Sequence, residues 1–183
     1  MDSLRGQLII ASPLLQDPNF DRTVVLVTEH DEDGAMGLVL NRPSDQTVSD
    51  AVPDLTWAAP DEDDFVHIGG PVSPDGVIVL AEWDDPALAA ILVEDDLGFV
   101  PGDATSPELL ELAIRRARIY AGHAGWGPGQ LEDEIAEDAW IVETPRREEL
   151  FSEDPESLWA AVLRRKGREF ALLSTMPPDP SLN

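Results

Sequence analysis

The chain has 183 residues, of which 43% are hydrophobic, and its 12 basic and 37 acidic residues give a formal net charge of -25. This hydrophobic content supports one core, so we predict a single domain over residues 1–183 with an irregular tail at residues 174–183. The lack of cysteine excludes disulfides, thiolate metal sites and cysteine nucleophiles, and the acidic excess disfavours direct nucleic-acid binding, because affinity for a duplex rests largely on neutralising phosphates.

The stretch from Arg5 to Pro43 predicts two long apolar strands joined by a tight acidic turn, with a polar loop at residues 16–22 before the first strand. Residues 23–28 are rich in β-branched side chains, which favour strands. Runs this apolar, without polar alternation, indicate strands that are covered on both faces. The Asp33-Gly34 pair supplies the positive φ of a hairpin loop, which we expect to be longer than two residues.

The middle of the chain predicts a short helix at residues 47–52, an acidic loop at residues 61–64, and strands at residues 65–68 and 77–80. Gly69 and Gly70, followed by Pro71, come directly after the first of these strands. Because glycine has no Cβ, this pair permits a close backbone approach, and a neighbouring strand is the expected partner.

The second half of the chain alternates strands with helices. A helix start is indicated at residues 105–108, Thr-Ser-Pro-Glu, because either hydroxyl can cap the helix and proline suits its first turn. Asp154-Pro155 gives a similar signal, and Gly167 predicts the end of that helix. The other predictions are strands at 97–100, 118–124 and 139–142, helices from 107 to about 116 and from 130 to 137, and either helix or strand at 87–93.

Residues 125–129, Gly-Trp-Gly-Pro-Gly, lie between a predicted strand and a predicted helix, an arrangement that cradles phosphate in nucleotide sites. The spacing matches neither the dinucleotide fingerprint nor the phosphate loop. Moreover, Glu132, Asp133 and Glu134 occupy the first helical turn, where they would repel an anion. We therefore predict a structural turn in which at least one glycine has a positive φ.

Three stretches in this order resemble the AlgH/YqgE family of bacterial proteins: GQLIIASPLLQDPNFDRTVVLVTEHDEDGAMGLVLNRP, HIGGPV and GHAGWGPGQLEDEIAEDAWIV. With LWAAVLRRKG near the end, the resemblance spans nearly the whole chain. It implies a cytosolic α+β domain whose mixed or antiparallel sheet is partly closed and barrel-like, with surrounding helices. The family is largely uncharacterised, its common label is transcriptional regulator, and no catalytic residue, cofactor or metal follows from it. The shared structural motif comprises Gly69, Gly70, Pro71, Gly125, Trp126, Gly129 and Gln130.

A cluster of polar residues is predicted at one edge of the first hairpin. In an antiparallel pair the start of the first strand lies beside the end of the second, so the loop at residues 17–22 should meet Asn41 and Arg42. Arg22 and Arg42 are two of the three basic residues in the first 114, and an anionic ligand or a partner's carboxylate would find a favourable field there. The alternative is that these arginines pair with nearby carboxylates. The predicted site residues are Asp17, Asn19, Arg22, His30, Asn41 and Arg42.

The three histidines, His30, His67 and His123, lie on separate predicted strands. With a carboxylate such as Glu29 they could bind a divalent metal, but no pair has the helical spacing of a metalloprotease. Hydrogen-bonded histidines near strand ends are the simpler interpretation. A serine nucleophile is equally weakly indicated, because no Gly-x-Ser-x-Gly motif is present. We therefore predict neither a metal site nor a cofactor.

The leading functional hypothesis is a non-enzymatic regulatory or accessory protein that binds a protein partner or a small ligand. The alternative is an enzyme that acts on a small anionic or amide substrate with Arg22, His30 and Asn41. Direct transcriptional regulation follows from the family label alone, and the basic residues at 164–168 suit a helix C-terminus as well as a recognition patch. Since no apolar run could span a bilayer and no signal-peptide pattern is present, we expect a cytoplasmic protein without membrane association.

Overall fold

The computed structural model describes residues 3–15, 17–59, 61, 63–102 and 106–176. Its strands are β1 (Leu8–Ala11), β2 (Val24–Asp31), β3 (Gly34–Val39), β4 (Pro43–Thr47), β5 (Phe65–Ile68), β6 (Val72–Trp83), β7 (Ile91–Glu94), β8 (Leu97–Phe99), β9 (Ile114–Trp126) and β10 (Trp140–Glu143). Its helices are α1 (Val48–Ala51), α2 (Pro107–Ala113), α3 (Gln130–Ala136), α4 (Arg147–Leu150), α5 (Pro155–Lys166) and α6 (Arg168–Leu173), with 3-10 turns at Pro53–Ala58 and Pro86–Leu88.

Eight strands follow one another through a single sheet, in the order β10, β1, β2, β3, β9, β6, β8 and β7. The long strand β9 also pairs with β5 in parallel, and β4 pairs with β5, so the sheet branches at β9. All other pairings are antiparallel. The predicted α+β class is confirmed. The sheet was expected to be partly closed and barrel-like, but within the described residues it is not closed, because its strand order ends at β10 and β7, which do not pair with each other.

The β2–β3 hairpin lies in the middle of this sheet and matches the predicted strand pair. Asp31 is paired with Gly34, so the loop consists of residues 32 and 33 alone and is shorter than predicted. The strands extend further toward the tip than the sequence suggested, and Gly34, the first residue of β3, adopts a φ of 135° that favours glycine. A Cβ at this glycine would lie 2.2 Å from the backbone oxygen of Trp126, so the hairpin tip requires glycine.

The central strands are buried on both faces, as their continuous apolar runs predicted. Alternate residues of β1 and β2 face opposite sides of the sheet, and each side has its own core cluster. One cluster joins these strands to α5 and includes Leu8, Ile10, Val24, Leu26, Leu158, Trp159, Val162 and Leu163. The other lies under α3 and includes Ile9, Ala11, Val25, Val27, Trp126, Leu131 and Trp140.

The glycine pair after β5 crosses closely over β9. The Gly69 N–H donates to the Ala121 carbonyl at 2.8 Å, and a Cβ at Gly69 would lie 2.3 Å from the carbonyl oxygen of Gly122. A Cβ at Gly70 would lie 2.2 Å from the carbonyl carbon of His123. The predicted close approach to a neighbouring strand is therefore confirmed.

Two boundaries in the second half differ from the prediction because β9 is longer than expected. Helix α2 ends at Ala113 rather than near Arg116, since β9 already begins at Ile114. Gly125 and Trp126 likewise belong to β9 instead of a turn. Pairing with β6 and β3 satisfies the backbone of β9 along its length, which outweighs the local helix signal.

Several other segments follow from local signals. Helix α5 begins after Asp154, whose side chain accepts from the Ser157 N–H at 3.2 Å, and ends at Gly167, as predicted. Residues 87–93 resolve into the second 3-10 turn followed by β7.

Four elements, β1, β4, α4 and α6, were not predicted from the sequence. Thr105 and residues 177–183 of the predicted tail lie outside the described residues. None of the described helices is long and apolar enough to cross a membrane.

Candidate functional site

The loop before β2 meets the end of β3, as the hairpin topology predicted. The carboxylate of Asp17 accepts from the Asn19 N–H at 2.8 Å, which closes a tight turn. The guanidinium of Arg42 then donates to the carbonyl oxygens of Pro18 at 3.2 Å, Asn19 at 2.6 Å and Asp21 at 2.9 Å. Arg42 therefore satisfies backbone acceptors of the loop. The alternative, that Arg42 pairs with nearby carboxylates, is not seen among the described residues.

Asn41 and Arg22 also make internal contacts. Asn41 accepts from the Val24 N–H at 2.8 Å and donates to the carbonyl of Arg22 at 2.9 Å, which joins the loop to the start of β2. Arg22 has a φ of 52°, donates to the Met176 carbonyl and lies over the Trp159 ring at 4.7 Å. A cavity of about 60 Å³ lies beside Arg42, which leaves room for little more than water. Ligand binding at this edge stays a prediction.

His30 lies at the opposite end of β2 from this edge. Its Nδ1 accepts from the Leu4 N–H at 2.9 Å, so its Nε2 carries the proton and donates to the carboxylate of Glu132 at 3.0 Å. His30 is six residue steps along an extended strand from Val24, a distance of about 20 Å. A shared catalytic site of Arg22, His30 and Asn41 is therefore not formed, because the strand holds His30 apart from the other two.

The Gly125–Gln130 motif organises an aromatic cluster. The indole N–H groups of Trp126 and Trp140 both donate to Glu134, at 3.0 and 2.7 Å, and Gln130 donates to the same carboxylate at 2.8 Å. Phe20 packs against both indoles, with ring centroids 6.0 and 5.5 Å away. The φ of Gly129 is 75°, so the predicted positive φ is confirmed. These contacts give the motif a packing role.

The histidines do not converge. His30 lies on β2, His67 on β5 and His123 on β9. Across the described residues, no group of three or more histidine, aspartate or glutamate side chains is placed to hold a metal ion.

A cavity lies beside the first half of β9. Its volume is about 630 Å³, which is in the range of small-molecule sites. It opens to the surface, and its lining comes from β5, β9, the acidic segment that precedes β5 and the connection between α4 and α5. His67 and Arg118 both line it. The chain therefore places a histidine and an arginine from neighbouring strands in one wall of a cavity.

His67 is only 6% exposed and is held beside Tyr120 by the parallel pairing of β5 with β9. Its Nδ1 lies 3.2 Å from the carbonyl oxygen of Phe65, an acceptor, so this nitrogen carries the proton. Burial, with the positive charge of Arg118 nearby, lowers the pKa of His67 to about 4. At neutral pH the imidazole is uncharged and its Nε2 offers an acceptor lone pair, which no group in the described residues uses.

Arg118 and Tyr120 follow each other on the same face of β9 and are also incompletely bonded. Arg118 donates through Nη2 to the Ser152 carbonyl at 2.8 Å, whereas its buried Nη1 has no hydrogen-bond partner among the described residues. Tyr120 is fully buried, and burial raises the pKa of its phenol to about 12. Arg118 lies near this hydroxyl, but the geometry does not make a hydrogen bond. Each such unsatisfied group costs about 1–3 kcal/mol of stability.

The other arginines that line the cavity are already paired. Arg116 contacts the buried carboxylate of Glu82 at 2.9 Å, and Arg115 contacts Glu82 at 3.7 Å. Although burial of Glu82 opposes ionisation, hydrogen bonds from Arg147 and Arg116 hold its pKa below the usual range. Arg118 has no carboxylate partner in the part of the chain that the structure describes. It differs in this respect from Arg115 and Arg116, whose charges are offset by carboxylates.

A family model described as AlgH-like matches residues 8–171. The chain belongs to the AlgH-like family. This confirms the resemblance inferred from the sequence motifs, and relatives named UPF0301 protein extend over nearly the same length. One from Streptomyces avermitilis is 48% identical over 190 residues, covering 100% of this chain and 97% of the relative. One from Thermobifida fusca is 40% identical over 193 residues, covering 99% and 96%.

Two solved structures share the AlgH-like fold. The crystal structure of a protein from Corynebacterium diphtheriae superposes with a TM-score of 0.84 at 28% identity, covering 96% of this chain and 93% of that one. The solution structure of the AlgH protein from Pseudomonas aeruginosa gives a TM-score of 0.70 at 31% identity, covering 96% and 95%. The family assignment thus rests on both sequence and three-dimensional structure.

The sequence of this AlgH-like chain did not point to Arg118 or Tyr120, and it offered His67 as a metal ligand or, more simply, as a histidine that is hydrogen-bonded near a strand end. One signal was present, because Arg118 and Tyr120 are spaced two residues apart in a predicted strand and must share a face. Their juxtaposition with His67 depends on the parallel β5–β9 pairing, which joins segments about fifty residues apart. No local pattern reports that register.

Proposed function

We propose that this AlgH-like protein is a cytoplasmic, non-enzymatic regulatory or accessory protein that binds a small ligand in the cavity beside β9. One observation carries the proposal: Arg118, which has no carboxylate partner in the described residues, lines a cavity of about 630 Å³ together with His67. The unpartnered Nε2 of His67 and Nη1 of Arg118 are themselves buried, so a ligand would reach them only after a local rearrangement of these side chains. Contacts with the ligand would then recover the free energy that unpartnered polar groups cost.

The charge of Arg118 indicates which part of a ligand would bind there. A half-buried guanidinium without a carboxylate partner is matched by a ligand carboxylate or phosphate, which can accept two parallel hydrogen bonds. The Ser152 carbonyl uses only one of its five N–H donors. Reorientation of the remaining donors toward the cavity would require no break in an ion pair.

The same geometry favours binding over catalysis. A histidine that acts as a general base is usually oriented by a carboxylate on its second nitrogen. In His67 that nitrogen is bonded to the backbone carbonyl of Phe65, and no carboxylate contacts the ring in the described structure. The imidazole therefore lacks the carboxylate partner that orients a general base.

The proposal also excludes direct binding to nucleic acid, and the basic residues at the end of α5 support this. Arg165 contacts the carboxylates of Glu149 at 2.6 Å and Glu143 at 3.2 Å, and Lys166 donates to the Val142 carbonyl at 2.6 Å. These cations are already engaged by the protein. A chain with a net charge of -25 then offers little positive field to a duplex.

The proposal can be tested with 3-phenylpropanoate, which joins a carboxylate to an apolar ring. In a titration followed by two-dimensional NMR of the isotope-labelled protein, we expect amide shifts to concentrate around His67, Arg118 and Ser152. Arg118→Gln should weaken this binding at least about tenfold, since it removes a charge-assisted contact. Arg164→Gln, which removes an exposed arginine outside the cavity, is the matched control and should leave binding unchanged.

Absence of saturable shifts at the cavity, up to millimolar 3-phenylpropanoate and millimolar inorganic phosphate, would refute the proposal. Equal weakening by the two arginine variants would also refute it, because the effect would then reflect net charge alone. Thermal melting of each variant shows whether the fold is intact before binding is compared.

A further inference from the structure

Helix α2 has two apolar faces, and only one of them packs against the rest of the protein. Leu110 and Ala113 are buried in a cluster that joins α2 to β6. Leu109 and Leu112, in contrast, are 63% and 81% exposed. Because residues three apart lie on the same side of a helix, these two leucines form a second apolar stripe that points to solvent.

The segment of residues 88–91 brings two further apolar side chains to this part of the molecule. Ala89 packs against the buried cluster that holds α2, so this segment lies near the helix. Leu88 and Ile91 are 44% and 48% exposed. We call Leu88, Ile91, Leu109 and Leu112 the α2 surface. Single exposed apolar side chains are common, whereas a group of them marks an interaction site.

The α2 surface is bordered by carboxylates. Glu108 and Glu111 are exposed on the helix, and each is next to one of its exposed leucines in the chain. The nearest basic residue in the chain, Arg115, is already paired with three carboxylates elsewhere. With a formal net charge of -25 on the whole chain, the electrostatic field over this surface is negative.

We infer that the α2 surface docks a basic amphipathic helix of a partner protein. The apolar side chains of that helix pack on the exposed leucines of α2, and its lysine or arginine side chains face Glu108 and Glu111. This interaction goes beyond ligand binding in the cavity beside β9, which is lined by other elements.

The charge of the chain disfavours other occupants of the α2 surface. In a two-fold symmetric dimer the same patch meets itself, so Glu108 and Glu111 of one copy would approach those of the other. Each copy also carries a net charge of -25, which opposes association. An anionic lipid surface would be repelled for the same reason. A cationic partner is attracted instead.

The neighbouring sheet edge favours a helix over an added strand. Strand β7 ends the strand order, and an end strand can pair its backbone with a partner strand. Here, however, the guanidinium of Arg5 donates to the carbonyl oxygens of Val93, at 3.1 Å, and of Leu92. Because these carbonyls are already bonded, a partner meets mainly side chains in this region.

The inference can be tested with a leucine-lysine peptide of about 16 residues whose leucines recur at i, i+3, i+4 and i+7, a length that supports a helix. In a titration followed by two-dimensional NMR of the isotope-labelled wild type, amide shifts should concentrate at residues 88–91 and 107–113. A peptide of the same composition with its leucines spread around the helix should bind at least about tenfold more weakly. Equal binding of the two peptides, or shifts centred elsewhere in the chain, would overturn the inference.

A serine double variant, Leu109→Ser with Leu112→Ser, tests the apolar contact. Both leucines are exposed, so this variant should melt like the wild type, and it should bind the amphipathic peptide at least about tenfold less tightly. The matched control is Leu14→Ser with Leu172→Ser, which alters leucines that are 73% and 71% exposed outside the α2 surface and should leave binding unchanged. Equal weakening by the two variants would count against the α2 surface.

The contribution of the carboxylates is tested by Glu108→Gln with Glu111→Gln. At low salt this variant should weaken peptide binding by about threefold to fivefold, as expected for solvent-exposed ion pairs. Glu32→Gln with Asp33→Asn removes the same charge from the exposed tip of the β2–β3 hairpin and should have a smaller effect. If both variants weaken binding equally, overall charge explains the attraction and the inference fails.

Two measurements on the wild type and the serine double variant test the other occupants. In sedimentation velocity we expect the two proteins to have the same oligomeric state, and neither should bind phosphatidylcholine vesicles. A dimer that dissociates in the variant would assign the surface to a second copy, and vesicle binding that is lost in the variant would assign it to lipid; either result would overturn the inference. The proposed ligand-binding function would still stand, because the cavity beside β9 uses other residues.

Discussion

Replacing Tyr120 with phenylalanine should make this protein more stable, the reverse of the usual effect of a core substitution. Tyr120 is fully buried, and its hydroxyl has no hydrogen-bond partner among the described residues. The aromatic ring, which packs in the main core cluster, is kept by phenylalanine. The substitution therefore removes an uncompensated polar atom and little else.

The size of the effect follows from the desolvation of that hydroxyl. A buried polar group without a partner costs about 1–3 kcal/mol, so its removal should raise the free energy of unfolding by about 1 kcal/mol or more. For a chain of this length, 1 kcal/mol corresponds to about 2–4 °C in Tm. We expect Tyr120→Phe to melt at least about 2 °C above the wild type.

Thermal unfolding by calorimetry, together with urea unfolding followed by circular dichroism, would measure this difference. Thr23→Val is the matched control, because the Thr23 hydroxyl is equally buried but donates to the Phe20 carbonyl at 2.8 Å. Its loss should destabilise the protein by about 1 kcal/mol. A Tyr120→Phe protein that melts below the wild type would show that the hydroxyl is well bonded, and the argument for an unsatisfied site would fail.

Three further results are expected. Asn41→Ala should lower the free energy of unfolding by about 2 kcal/mol in urea titrations, because two hydrogen bonds that join the loop to β2 are lost; an unchanged midpoint would contradict this role. Gly70→Ala should prevent folding or lower the free energy of unfolding by well over 2 kcal/mol, because the new Cβ would lie 2.2 Å from the carbonyl carbon of His123. Gly129→Ala is the control: the space around Gly129 is open, so only its φ of 75° opposes the substitution, and the loss should be about 1 kcal/mol. Because the pKa of His67 is lowered from 6.5 to about 4, the unfolded state binds the extra proton, so stability should fall by up to about 3 kcal/mol as the pH drops from 6.5 to 4. His67→Gln should show a shallower fall over that window, and an identical pH profile would count against the buried neutral imidazole.

Local physics determined much of this fold. The β-branched run of β2 predicted a core strand, and Asp154 and Gly167 bounded α5 because a side-chain cap and a glycine act within one helical turn. Gly69 and Gly70 predicted a close backbone approach, because glycine is the only residue without a Cβ. The meeting of the polar loop with Asn41 and Arg42 also followed from the sequence, since antiparallel pairing fixes which strand ends are neighbours.

The tertiary structure decided what those residues do. Arg42 binds loop carbonyls, because the carbonyl groups of an irregular loop need hydrogen-bond donors. Counting charged residues in the sequence does not reveal this requirement. The sequence alone could not bring His67 beside Arg118 and Tyr120, because their proximity rests on a parallel pairing between distant segments. It could not show that their polar atoms lack partners, since burial and satisfaction are properties of the packed chain. The candidate site is therefore a product of the assembled sheet, which set the register that brings these groups together.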